Sequence, residues 1–190
     1  MAKKANSNNS KKAKSKSKKN TADKTDVIQA YIDEARTHKG EDGSWTWKTS
    51  GLSRGEAWCC AFVVAVARTV GGIVNKVMPD GIYLCSTFVQ DGVKRKLGTW
   101  LPGPVHGEYP QPLPGDIITY RYRVREYVNQ YDNSHVGIVI KATKDKVYTV
   151  EGNTGGSGSI SNTVHEYVSD LKKSSINGYY RPNWEDIRLL

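Results

Sequence analysis

The sequence predicts an α+β fold in which N-terminal helices pack on a C-terminal antiparallel β-sheet. Three observations carry this. Apolar residues recur at helical spacing between 26 and 39, and an unbroken apolar run extends from Ala57 to Ala67. Beyond residue 115 the pattern changes to short stretches rich in Ile, Val, Thr and Tyr. Helices first and strands afterwards imply segregated layers rather than alternating βαβ units.

The first helix is expected over Asp26–Lys39. Val27, Ile28, Tyr31, Ile32 and Ala35 form one stripe, Thr25 or Asp26 can cap the start, and Gly40 can end it. Glu41–Gly55 reads as a loop carrying Trp45 and Trp47, which line a groove or, in the commoner use, cover the core. Ser53 and Glu56 match a capping box, but Gly55 is a poor helical residue. The second helix is therefore placed at about Trp58–Val70, stopped by Gly71-Gly72. A third is expected over Ser86–Leu97, with Phe88, Val89, Val93 and Leu97 inward and Cys85 before it as a small core residue. Five of the seven prolines fall within Pro102–Pro114, which predicts an irregular surface connection. Strands are expected over Asp116–Tyr122, His135–Ala142, Lys146–Glu151, Ile160–Val168 and Gly178–Arg181. Asn133-Ser134 and Lys144-Asp145 mark turns. Gly152–Ser159 is a glycine-rich hairpin loop; no Lys-Ser/Thr on a following helix makes it a phosphate cradle.

The formal charge of +9 is uneven: residues 1–25 hold nine Lys and a single acid, Asp23. The rest keeps 19 of the 28 Lys+Arg and 18 of the 19 Asp+Glu, and is nearly neutral. After Met1, residues 1–20 are only Lys, Asn, Ser and Ala, which cannot bury enough to offset ordering entropy. Residues 1–24 are thus expected to be a disordered basic tail and 25–190 one folded domain. The tail reads as an electrostatic tether through residues 1–20, to an anionic polymer (teichoic acid or nucleic acid) or a membrane surface, or as a solubilising or linker arm. Arg121, Arg123 and Arg125 alternate, and read as a basic stripe or, preferably, a solvated strand face. No apolar segment follows the charged start as in a secretory signal, and the Ala57–Ala67 run is too short to span a bilayer. Synthesis in the cytoplasm without a signal peptide is the expectation. Three cysteines, two of them adjacent, make no disulfide framework.

The chemistry-bearing residues fall into one pattern. A Gly/Ser-rich loop delivers Cys59 to the start of a buried helix, where unpaired N–H groups and the helix dipole favour thiolate. His135 opens one strand, and Glu151 and Asn153 end the next. If those strands form a hairpin, His135 and Glu151 meet at one edge. A thiol, an imidazole and an acceptor that orients the imidazole are what thiol-based acyl transfer needs. Cys60 is read as packing, because adjacent helical residues point about 100° apart.

Trp58-Cys59-Cys60-Ala61-Phe62-Val63, Pro114-Gly115-Asp116-Ile117-Ile118, Ser134-His135-Val136-Gly137-Ile138-Val139 and Glu151-Gly152-Asn153-Thr154 together resemble the CHAP domain (cysteine, histidine-dependent amidohydrolases/peptidases) over roughly residues 25–182. The resemblance implies a papain-like α+β fold that cleaves an amide or peptide bond of bacterial peptidoglycan. It implies Cys59 as nucleophile, His135 as base, Glu151 as orienting carboxylate and Asn153 as the next polar member. Many relatives are phage endolysins, virion-associated lysins or bacterial autolysins, so the expected place of action is the bacterial cell wall, after release or as a virion component. Some relatives bind calcium through alternating acids before the cysteine; here only Glu41 and Asp42 stand nearby, and neither a metal nor a cofactor is expected. A monomer is expected. The reading from another class is a non-catalytic wall-binding or phage structural module that retains the fold.

Overall fold

The computed structural model describes residues 27–122 and 129–187. Helix α1 covers 27–37, with Val27, Tyr31, Ile32 and Ala35 buried, as its stripe requires. Gly40 follows in a left-handed conformation (φ +86°). Helices α2 (Ser44–Ser50), α3 (Cys59–Thr69) and α4 (Cys85–Lys94) come next. Six strands complete the order: β1 (Gly98–Pro102), β2 (Ile117–Tyr120), β3 (His135–Ala142), β4 (Lys146–Thr154), β5 (Thr163–Asp170) and β6 (Ile176–Pro182). They form one antiparallel sheet in the order β1-β6-β2-β3-β4-β5. This is the expected α+β class.

Helix α3 packs across β3 and β4, and every residue from Cys59 to Ala67 is buried. Fully burying side chains such as Phe62, Val63, Val64 and Val66 stabilises by about 1.5–3 kcal/mol each, which explains why this apolar run sits at the centre of the domain. The sheet is covered unequally. On the helical side Ile117, Val136, Ile138, Val150 and Tyr180 join the main core. On the other side Ile118, Tyr120, Val139, Val147, Ile176 and Tyr179 form a smaller one.

The structure differs from the sequence expectation in three places. Part of Glu41–Gly55 is helical, not loop: α2 buries Trp47 against Trp58, ring centroids 6.3 Å apart. Seven residues are too few to display a period, and tertiary packing overrides the modest helix propensity of Trp, Ser and Thr. The two tryptophans cover the core, Trp45 stacking on His38 with centroids 3.7 Å apart. Strand β1 is not expected from the sequence; it is an edge strand that, among the described residues, pairs with β6, and there a terminal Pro102 is tolerated. The expected strand from Ile160 begins at Thr163, because 155–162 close the β4–β5 turn. Ser53 and Glu56 do interact, through the Ser53 N–H and the Glu56 carboxylate, but α3 starts later, at Cys59.

Asp116 of the Pro114-Gly115-Asp116 stretch serves the fold. It is 1% exposed and takes paired hydrogen bonds from Arg181 (Nε to Oδ1 3.0 Å, an Nη to Oδ2 2.8 Å). Gly115 is required there: its φ is +84°, and a Cβ would meet Ile28 and Trp184 at 3.0 Å. The basic tail, its helix-capping candidates Thr25 and Asp26, and Arg123 and Arg125 of the proposed stripe lie outside the described residues. Among the described residues no helix is long and apolar enough to cross a membrane.

Candidate active site

Cys59 is the first residue of α3. Its position is fixed by Trp58, which is fully buried, packs edge-on against Phe62 (6.3 Å) and donates its indole N–H to the Ser159 carbonyl (3.0 Å). Gly152 of β4 lies against both rings: a Cβ there would come within 2.7 Å of Trp58 and 2.8 Å of Phe62. The helix start is thereby held against the end of β4. Cys60 turns away, fully buried, its thiol directed at the Ile82 carbonyl 3.6 Å off. Cys60 packs in the core, as expected of the second of two adjacent helical cysteines.

Strands β3 and β4 do form the expected hairpin, closed by a Thr143 N–H to Lys146 carbonyl bond of 2.8 Å. His135 opens β3 opposite Tyr120 of β2. Glu151, next to Gly152, turns to the face away from α3 by the two-residue alternation of a strand. His135 Nε2 and Glu151 Oε2 are 3.0 Å apart. The second carboxylate oxygen accepts from the Tyr120 hydroxyl (2.8 Å) and the Thr149 hydroxyl (2.6 Å). Three donors thus hold a carboxylate that is only 3% exposed. Gly137 makes room for it: a Cβ would sit 2.5 Å from Glu151 Cγ. Gly137→Ala is expected to displace the carboxylate and to cost about 1–3 kcal/mol by overpacking, read from the denaturant midpoint; an unchanged midpoint would refute the close fit.

The electrostatics follow from these contacts. Burial alone would raise the Glu151 carboxyl, but the hydrogen bonds and charge of His135, then Thr149 and Tyr120, hold it below its ordinary range. Burial works against charge on His135 too, yet the Cys59 sulfur and the Glu151 carboxylate outweigh it and push the imidazole up to about 10. The sign of each contribution to stability is definite. The one from His135 is complete below its ordinary 6.5 and is lost as pH rises through about 10. The one from Glu151 is complete above 4.5 and is lost as pH falls through its lower folded value. The pair is therefore intact across the neutral range.

Cys59 and His135 line one groove of about 980 Å³, together with Ser86, Tyr122, Asn153 and Asn162. Each biases the titration of the other. Because Nε2 is engaged by Glu151, Nδ1 is the ring nitrogen left for the thiol. Asn153 reaches the groove wall, but its side-chain oxygen accepts from Asn162 (2.9 Å) rather than from the imidazole. Its φ of +62° is one that Asn adopts more readily than most residues.

Cys85 was expected as a small core residue. It is buried in the core, and it also places its sulfur 3.4 Å from that of Cys59. The Cys85 sulfur and burial push the Cys59 thiol up, while His135 pulls it down. The thiolate-favouring helix start is thus opposed by a second thiol. Cys85→Ala in a Cys60→Ala background is expected to move the pH midpoint of Cys59 alkylation by iodoacetamide downward. A midpoint that stays put or rises would exclude Cys85 as the cause.

Sequence reasoning missed Tyr120, Thr149, Asn162 and Cys85. Thr149 alone carried a signal, since it lies two residues before Glu151 and so shares its strand face. Among the described residues no group of three or more His, Cys, Asp or Glu is arranged to hold a metal ion. The arrangement is suited to nucleophilic attack by sulfur, with an imidazole to move the proton and a fixed carboxylate behind it.

No protein-family model matches the chain, and no curated protein matches it. Among solved structures the chain is similar to the crystal structure of Ly7917, with 16% identity and a TM-score of 0.46 over 83% of this chain. It is also similar to the crystal structure of Ly7917 with the hydrolysing product of MDP, with 17% identity and a TM-score of 0.41 over 82% of this chain. The chain spans 62% of the length of Ly7917 in both.

Proposed function

We propose that this chain is a cysteine-dependent peptidoglycan hydrolase of the CHAP type, with a papain-like arrangement of helix and sheet. The observation that carries the reading is the convergence of Cys59 and His135 on one groove, with the far nitrogen of the imidazole on buried Glu151. The order of the four sequence motifs supports it.

In this reading the Cys59 thiol gives its proton to His135 and the sulfur attacks the carbonyl carbon of an amide in the wall peptide. The oxyanion is met by backbone N–H groups at the start of α3, which have no intrahelical partner. His135 gives its proton to the leaving amine, and a thioester on Cys59 remains. His135 then takes a proton from water, which attacks the thioester and releases the thiol. Glu151, held by Tyr120 and Thr149, stabilises the imidazolium and fixes the ring. Asn153, held by Asn162 through its side-chain oxygen, offers a neutral hydrogen-bonding group to the substrate backbone. The place of action is the bacterial wall, reached after release or within a virion.

The test is mass spectrometry of products from purified peptidoglycan. New amine and carboxyl ends at one amide are expected, and their position separates an N-acetylmuramoyl-L-alanine amidase from a cross-bridge endopeptidase. Intact peptidoglycan after prolonged incubation would favour the non-catalytic module instead.

A further inference from the structure

We propose that Cys59 and Cys85 form a redox-active dithiol, in which a peroxide oxidises Cys59 and Cys85 captures it as a reversible intramolecular disulfide. The two sulfurs lie 3.4 Å apart and neither is in a disulfide. A disulfide of about 2.05 Å needs them to close by about 1.4 Å, within the reach of side-chain rotation. Each cysteine is the first residue of its helix, Cys59 of α3 and Cys85 of α4. Two sets of unpaired N–H groups therefore stand near one sulfur pair and favour thiolate, against a net push of both buried thiols above their ordinary value. Only Cys59 of the pair lines the groove, so a small oxidant meets it first and Cys85 lies behind. Cys60 points its thiol at the Ile82 carbonyl and also acts on the Cys85 thiol, but it does not line the groove, so an oxidant entering there meets Cys59 and not Cys60.

The chemistry balances. The Cys59 thiolate attacks one oxygen of hydrogen peroxide, the O–O bond breaks, and the departing hydroxide leaves as water with the proton of the His135 imidazolium. The product is a sulfenic acid. The Cys85 sulfur then attacks the Cys59 sulfur, the S–O bond breaks, and hydroxide leaves as water with the Cys85 proton. Two thiols and one peroxide give one disulfide and two waters. An added dithiol reverses the bond by exchange. The crosslink itself stands on geometry alone; that it silences the protein rests on the proposed role of Cys59.

The experiment treats the reduced full-length chain with stoichiometric hydrogen peroxide and maps tryptic peptides. Residues 55–68 and 77–94 are expected to be joined with loss of two hydrogens, at Cys59 rather than Cys60 by fragmentation, and released by dithiothreitol. Cys60→Ala is expected to form the same crosslink. Cys85→Ala and Cys85→Ser, given excess peroxide so that a second equivalent oxidises the uncaptured sulfenic acid, are expected to carry sulfinic acid on Cys59 that dithiothreitol does not remove. Sulfinic acid on Cys59 of the unmodified chain beside a free Cys85, or a link through Cys60, would overturn the proposal. A crosslink that leaves wall lysis unchanged would keep the dithiol and sink Cys59 as nucleophile. Absence of the crosslink, with lysis still lost in Cys59→Ala, would do the reverse.

Discussion

Cys59→Ala is expected to lower the turnover of purified peptidoglycan by about 10⁴-fold or more, because removing the nucleophile of a covalent mechanism eliminates its whole pathway. The fold is expected to survive. The change removes one sulfur from a site at the edge of the core, where Cys59 is 6% exposed, and a lost atom of that size costs about 1 kcal/mol. The two readouts, product release and thermal unfolding, therefore separate. Cys60→Ala is the matched control. Its thiol is equally close in sequence but fully buried and turned to Ile82, so turnover within a few-fold of the parent is expected. Substantial lysis by Cys59→Ala, or abolished lysis in a folded Cys60→Ala, would remove Cys59 from the mechanism.

His135→Ala is expected to lose both activity and stability, and the second loss has its own cause. Glu151 is 3% exposed and its nearest cation is His135 at 3.0 Å. Deleting the imidazole leaves an uncompensated carboxylate in the interior, which costs about 3–5 kcal/mol when a buried pair loses one partner. For a domain of this size that is a fall of about 10 °C in Tm. Adding Glu151→Gln is expected to recover much of the stability, since an amide of the same shape carries no charge and can still accept from Tyr120 and Thr149. It is not expected to recover activity, because no group remains to move the proton. The coupling in this double-mutant cycle measures the pair directly. If the double variant melts no higher than His135→Ala, the ion pair is not what holds this corner of the sheet together.

Cys59 and the His135–Glu151 pair are legible in the sequence for different reasons. Cys59 was readable because a glycine-containing loop followed by an apolar run is a local pattern, and a helix start is set by residues close in sequence. His135 and Glu151 were readable because β3 and β4 are consecutive and joined by a short turn, so the sequence order of a hairpin already brings their ends together. The same locality explains the failures. Helix α2 is too short for a period and exists because Trp47 finds Trp58. Strand β1 exists because β6, some eighty residues later, offers it an edge.

By itself the chain determined its class and its candidate reactive groups: an apolar run that must be buried, strands rich in Ile, Val, Thr and Tyr after it, and one thiol, one imidazole and one carboxylate at element ends. Only the tertiary structure decided how those groups are surrounded. It set Tyr120 and Thr149 on the carboxylate, turned Asn153 to Asn162, and brought the start of α4 to the start of α3 so that Cys85 faces Cys59. Local pattern follows from backbone periodicity within a few residues. Which side chain stands across from another depends on strand order and helix packing, and those are settled by burying the whole core at once.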